Sequence, residues 1–182
     1  MKKNIETIIA ELTSVLENID EKNVSRLERD IITANTIILV GAGRMGLAAK
    51  AFSMRLRQLG LESFALGDSA IPHVKKGDLM IVCSGSGETE TIHTIAQIAK
   101  TNGCKLALIT CRKESRIAKL AKTILIIPAH SKLDDDAKDS IQPMTTLMEQ
   151  CTGLFFDAFV LNLMKTLKQT SRTMWKRHSN LE

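Results

Sequence analysis

Four short runs of this chain are apolar almost throughout: "TIILV" (36–40), "DLMIVC" (78–83), "KLALIT" (105–110) and "TILIIP" (123–128). A strand with one wet face alternates apolar and polar residues. Runs without alternation belong to strands covered on both faces. A fifth run, "SFAL" (63–66), is shorter. The segments between them read as helices, over 46–59 with Gly60 at its end, over 88–101 ending at "NG", and a short one near 114–121. Strand and helix in alternation predict the α/β class. The expected architecture is a three-layer αβα sandwich around a five-stranded parallel sheet in the flavodoxin-like order 2-1-3-4-5.

Ahead of this core, Ile5, Ile8, Ile9, Leu12, Val15, Leu16 and Ile19 recur at helical spacing, and a second helix is expected over 22–33. Behind it, "AHSKLDDDAKDSIQ" (129–142) reads as a solvated loop. The stretch "PMTTLMEQCTGLFFDAFVLNLMKTL" (143–167) then predicts a long helix, apolar on nearly all sides. Such a helix has to be buried on more than one face, and self-association does that, so a homo-oligomer is expected. At 182 residues the chain is expected to be one domain, with N-terminal helices over 1–33, a parallel core over 36–128 and a C-terminal helix and tail over 143–182.

Composition narrows the partners. Hydrophobic content of 44% with 25% charged residues excludes global disorder. No apolar run approaches the roughly 20 residues of a membrane span, and "MKKNIETIIAEL" carries acids where a signal peptide is apolar, so a cytoplasmic location without membrane contact is expected. The net charge of +5 is dispersed apart from "SRTMWKRH". With no tyrosine, one tryptophan and five phenylalanines, platforms for stacking bases are scarce. An anionic small molecule suits this charge better than nucleic acid. Cys83, Cys104, Cys111 and Cys151 lack C-x-x-C spacing, and the four histidines are scattered, so reduced packing thiols and no metal site are expected.

Two loops carry the chemistry. "CSGSGETE" (83–90) leaves an apolar strand through glycines and hydroxyls and enters a helix. Glycines let backbone amides turn toward one point, hydroxyls add donors, and the helix start supplies partial positive charge, which is how an uncharged loop holds a phosphate. The first strand is followed by "GAGRMG" (41–46), a G-x-G-x-x-G pattern that also fits a dinucleotide fingerprint, with Asp68 near the place of a ribose-binding acid. In the order 2-1-3-4-5 both loops border one crevice, because the connections of strands one and three depart in opposite directions. Two donor-rich loops on one cleft suit a compact sugar monophosphate, and the chain has no room for a dehydrogenase's catalytic domain.

These residues are similar to the SIS (sugar isomerase) domain, which binds phosphosugars in isomerases and regulators. More narrowly, "AKAFSMRLRQLG" (49–60), "QPMTTLMEQ" (142–150) and "KRHSNLE" (176–182) resemble the 6-phospho-3-hexuloisomerase family, with motif order matching through nearly the whole chain. The resemblance implies interconversion of D-arabino-3-hexulose 6-phosphate and fructose 6-phosphate, a tetramer with sites shared between subunits, and no metal or organic cofactor. It puts Ser84, Ser86 and Thr89 on the phosphate, Gly43 and Arg44 in the first loop, and Glu149 and His178 at the positions proposed for proton transfer; the loop itself adds Gly85 and the amides near Glu88 to the expected phosphate site. Glu149 lies in a helix with few other charges, which suits a general base; the alternative is a structural carboxylate paired with an arginine of a neighbouring subunit. His178 sits in a basic tail with no pattern that folds it onto its own core. Three positions depart from the family: Met45 stands in place of serine, "GDSAIP" (67–72) replaces a threonine-rich stretch, and Thr145 replaces a glycine. A non-catalytic phosphosugar sensor therefore stays open as the second reading.

Overall fold

The structure, a computed structural model, describes residues 1–130 and 140–181. Five strands, β1 (Ile37–Gly41), β2 (Ser63–Ala65), β3 (Leu79–Cys83), β4 (Lys105–Thr110) and β5 (Thr123–Ile126), form one parallel sheet in the order β2-β1-β3-β4-β5. The α/β class and the strand order are those expected from the apolar runs. The helices are α1 (Lys2–Leu16), α2 (Glu21–Thr33), α3 (Gly43–Gln58), α4 (Glu90–Thr101), α5 (Thr146–Thr166) and α6 (Ser171–Trp175).

Alternate strand residues serve two cores, as a pleated sheet requires. Ile37, Leu39, Leu79, Ile81 and Ile109 pack with α1, α2, α3 and α5 on one face. Ile38, Val40, Met80, Val82, Leu106 and Leu108 pack with Ile92, Ala96 and Ala99 of α4 on the other. The continuous apolar runs are thus strands buried on both sides. The centre of the first core is aromatic. Phe52 of α3 stacks on Phe156 of α5 with centroids 4.2 Å apart and planes within 4°, and Phe155 and Phe159 close around them. Burial pushes the Cys83 thiol up to about 12, and the Cys104 and Cys151 thiols up to about 11, so these three are protonated packing groups near neutral pH. The buried Asp30 of α2 accepts from Thr123 Oγ1 at 2.6 Å and pairs with Lys105, tying α2 to β4 and β5. No helix among the described residues is long and apolar enough to cross a membrane.

Three local expectations change. Helix α3 starts at Gly43 rather than 46, so the glycine loop is already its first turn. The short helix expected near 114–121 is a run of turns. Its backbone is spent elsewhere: the Arg116 amide donates to the Glu88 carboxylate and the Ile117 amide to the Gly87 carbonyl, while Ser115 Oγ accepts from the Ala118 amide. The tail does fold onto its own chain. Thr170 and Thr173 make a reciprocal capping box for α6, and Arg177 then reaches the Gln58 carbonyl at the end of α3 (3.3 Å). The loop expected at 129–142 falls largely outside the described residues.

Phe156 is 2% exposed at the aromatic centre of the first core. Phe156→Ala should cost about 3–5 kcal/mol of unfolding free energy, the range for deleting a buried aromatic ring, read as a lowered urea midpoint at unchanged slope.

Candidate functional site

The pairing of β1 with β3 runs from Ile37↔Leu79 to Gly41↔Cys83, so the two strands end level and their loops leave side by side. At the end of β1, α3 approaches so closely that a Cβ on Gly46 would lie 2.6 Å from the Gly41 carbonyl oxygen. Two of the three glycines in the G-x-G-x-x-G pattern are therefore explained by helix-on-strand packing alone. Asp68, the candidate ribose ligand of a dinucleotide site, accepts from the Ala65 amide at 2.8 Å and closes the turn after β2.

Beyond β3 the loop 84–89 is built from within. Ser84 Oγ accepts from the Gly87 amide (3.2 Å) and lies 3.4 Å from Thr89 Oγ1, while Ser86 Oγ accepts from the Glu88 amide (3.2 Å). Both serines are 4% exposed. Each hydroxyl already holds a backbone donor as acceptor, which leaves its hydrogen for another group. Two loop carbonyls are held by the segment after β4: Gly85 O accepts from Thr110 Oγ1 (2.8 Å) and the Cys111 amide (3.0 Å), and Gly87 O from the Ile117 amide (3.2 Å). Among the described residues the amides of Gly85, Ser86 and Thr89 meet no acceptor in the chain. Gly87 sits at φ +64°, where a Cβ would lie 2.1 Å from Ser115 Oγ, so both conformation and space demand glycine.

Helix α5 brings Glu149 to the same place. A Cβ on Gly85 would be 3.5 Å from Met148 Cγ, so the first turn of α5 abuts the loop. The Glu149 carboxylate, 15% exposed, pairs with Arg44 Nε of its own chain (3.1 Å) and accepts from Thr145 Oγ1 (2.9 Å). The arginine that Glu149 meets within its own chain is Arg44, which lies beside the positive-φ Gly43 in the first turn of α3. Thr145, one of the departures from the family pattern, thus holds the candidate base directly. Met45, another, is 8% exposed and turned into the core.

His178 does not join them within one chain. Arg44–Glu149 and Phe52–Phe156 set α3 and α5 parallel, and the tail docks at Gln58, roughly 20 Å along α3 at about 1.5 Å per residue. There the His178 ring lies 4.8 Å from that of Trp175, its Nδ1 is 2.9 Å from the Ser179 carbonyl oxygen, and it borders a groove of about 420 Å³ with Lys50, Arg57, Asp68 and Arg177.

A match to the SIS domain spans residues 30–152. The chain belongs to the SIS domain family. It is 38% identical over 180 residues to the 3-hexulose-6-phosphate isomerase of Bacillus subtilis (strain 168), covering 96% of this chain and 97% of that one. The 3-hexulose-6-phosphate isomerase of Methylomonas aminofaciens is 33% identical over 184 residues, across the whole of both chains. The crystal structure of a hypothetical protein from Methanococcus jannaschii, from which a molecular function of 3-hexulose-6-phosphate isomerase was inferred, superposes with a TM-score of 0.86 at 28% identity over 99% of both chains. The family resemblance drawn from the motifs is borne out.

Two residues of this SIS domain were not legible as site residues. Arg116 takes both oxygens of Glu88 with its amide (2.8 Å) and Nε (2.6 Å), the Glu88 carbonyl with Nη2 (2.8 Å) and Glu90 with Nη1 (2.7 Å). With its amide given to Ser86 Oγ as well, Glu88, expected beside the phosphate, is left out of the candidate donor set. Glu11 of α1 accepts from Ser140 Oγ, the Ile141 amide and Gln142 Nε2 at 2.8–3.0 Å, anchoring the entry to α5. No local pattern marks either, because their partners are distant in sequence.

Hydrogen bonds from the Arg116 side chain and amide hold the Glu88 carboxyl below its ordinary 4.5, and the Arg116 side chain does the same for Glu90. At Glu11 burial opposes the charge, but bonds from Gln142, Ile141 and Ser140 outweigh it and also lower the carboxyl. Groups depressed in the folded state stabilise it above their unfolded value and lose that contribution as pH falls through the folded one. Unfolding free energy should therefore decline as pH drops below about 4.5, and Glu11→Gln should make that decline shallower in urea titrations at several pH values.

Proposed function

We propose that the protein is a ketose-phosphate isomerase that interconverts D-arabino-3-hexulose 6-phosphate and fructose 6-phosphate. The observation that supports this best is the convergence of three chain segments: the donor-rich loop 84–89, the first turn of α3 with Arg44, and the first turn of α5 with Glu149. In this reading the Ser84, Ser86 and Thr89 hydroxyls, with the amides of Gly85, Ser86, Thr89 and the start of α4, hold the phosphate. Gly43 and Arg44 border the sugar.

Glu149 removes the proton from C2 of the 3-hexulose as the C3 carbonyl oxygen gains one, giving a cis-enediol. The same carboxylate then returns a proton to C3 while the C2 hydroxyl loses its hydrogen and becomes the new carbonyl. Arg44, whose side chain is 58% exposed, moves from Glu149 to a ligand oxygen and so frees the base. His178 of a neighbouring subunit carries protons between the two oxygens. Such sharing needs an assembly, for which we propose a tetramer: Ile5 and Ile9 of α1 and Leu154 and Leu161 of α5 are exposed apolar residues one or two turns apart. A cytoplasmic location fits four cysteines without disulfides. The second reading, a phosphosugar sensor, is favoured by Met45, which supplies no hydroxyl to the first loop.

General-base catalysis contributes roughly 10²–10⁴-fold, so Glu149→Gln should lose that much turnover yet bind fructose 6-phosphate in calorimetry. His178→Gln, which keeps the Arg177 anchor, should also lose turnover. Mixing the two inactive proteins should restore activity if sites are shared. Normal turnover by Glu149→Gln would remove it as the base, and a wild-type protein that binds the sugar without converting it would establish the sensor.

A further inference from the structure

We infer that Arg116 is a positioning residue for the phosphate loop, keeping the Glu88 and Glu90 carboxylates away from the amides that receive the anion. The inference rests on the reading of residues 84–89 as the phosphate site. Glu88 and Glu90 flank Thr89, the N-cap of α4. A helix N-terminus attracts carboxylates for the same reason that it attracts phosphate, and an acid in the first turn readily folds back onto its own orphan amides. Two unrestrained glutamates here would compete with the ligand from within the chain and repel it through space.

Arg116 blocks both routes. Its amide and Nε occupy the two oxygens of Glu88, and Nη1 takes Glu90. Nη2 takes the Glu88 carbonyl, continuing the series in which Thr110 and Cys111 hold Gly85 O and Ile117 holds Gly87 O. Both acids and three of the loop's carbonyls, those of Gly85, Gly87 and Glu88, are thereby held by one segment, 110–117. A planar guanidinium serves several acceptors at fixed angles; an ammonium, as a compact point charge, does not. Arg116 itself stands behind the loop and acts only through it.

The test separates this role from simple support of the fold. Binding of inorganic phosphate and of fructose 6-phosphate is measured by calorimetry for wild type, Arg116→Ala, Arg116→Lys, Glu88→Gln/Glu90→Gln and the triple variant, each with its melting temperature. Like charges set beside a bound anion weaken binding steeply, so Arg116→Ala should lose roughly tenfold or more for both ligands, with Arg116→Lys between it and wild type. KM should rise with kcat changed less than about threefold, because anchoring of the phosphate is lost and proton transfer is not. The double variant should bind at least as tightly as wild type, and the triple variant should return to within about threefold of it, since no acid remains to restrain. Unchanged affinity in Arg116→Ala, or a folded triple variant as weak as Arg116→Ala, overturns the role of Arg116. A wild-type protein that binds neither anion overturns the reading of the loop itself.

Discussion

The site depends on the in-register parallel pairing of β1 with β3. Because Gly41 stands opposite Cys83, two loops of different character begin at the same height. The connection from β1 runs outward to β2 along one face, and that from β3 runs the other way to β4 along the other. Nothing fills the gap between departing chains in such a sheet, so a crevice is a consequence of the topology. A slip of one residue would reverse the faces of every β3 side chain and separate the loops.

Around that crevice the charges are arranged in pairs. Arg44 faces Glu149 at the starts of α3 and α5, and Arg116 faces Glu88 and Glu90 beside the loop 84–89. The loop itself contributes only neutral donors, and its Gly85, Gly87 and Glu88 carbonyls are drawn to the 110–117 segment. Binding an anion there does not require a buried cation, which would carry a large desolvation cost. It requires that the loop's acceptors and neighbouring acids be held outside.

Most of the sheet was legible because its strands are buried on both faces, which leaves an unbroken apolar signature in runs such as "LMIVC". The loop 84–89 was legible as a candidate phosphate site because its glycines and hydroxyls leave an apolar strand and enter a helix. What stayed hidden depends on contacts between distant residues. A helix was expected near 114–121, since the composition permits one, but the Arg116 and Ile117 amides are captured by a loop about thirty residues earlier. Arg177 gives no periodic signal, yet it docks the tail against Gln58 and Gly60. Glu149 was picked out through the family resemblance, on a helix with few other charges, whereas its partners, Arg44 and Thr145, come from the start of α3 and from its own cap.

The central claim is that this crevice moves a ketone between adjacent carbons by carbon-bound proton transfer. Proton NMR of fructose 6-phosphate incubated with the enzyme in D₂O addresses it most directly. Reversible enediol formation predicts loss of the C3 proton signal as solvent deuterium is returned to that carbon, with the C1 protons untouched. A sugar that binds at the site while its C3 proton persists through prolonged incubation would contradict the account.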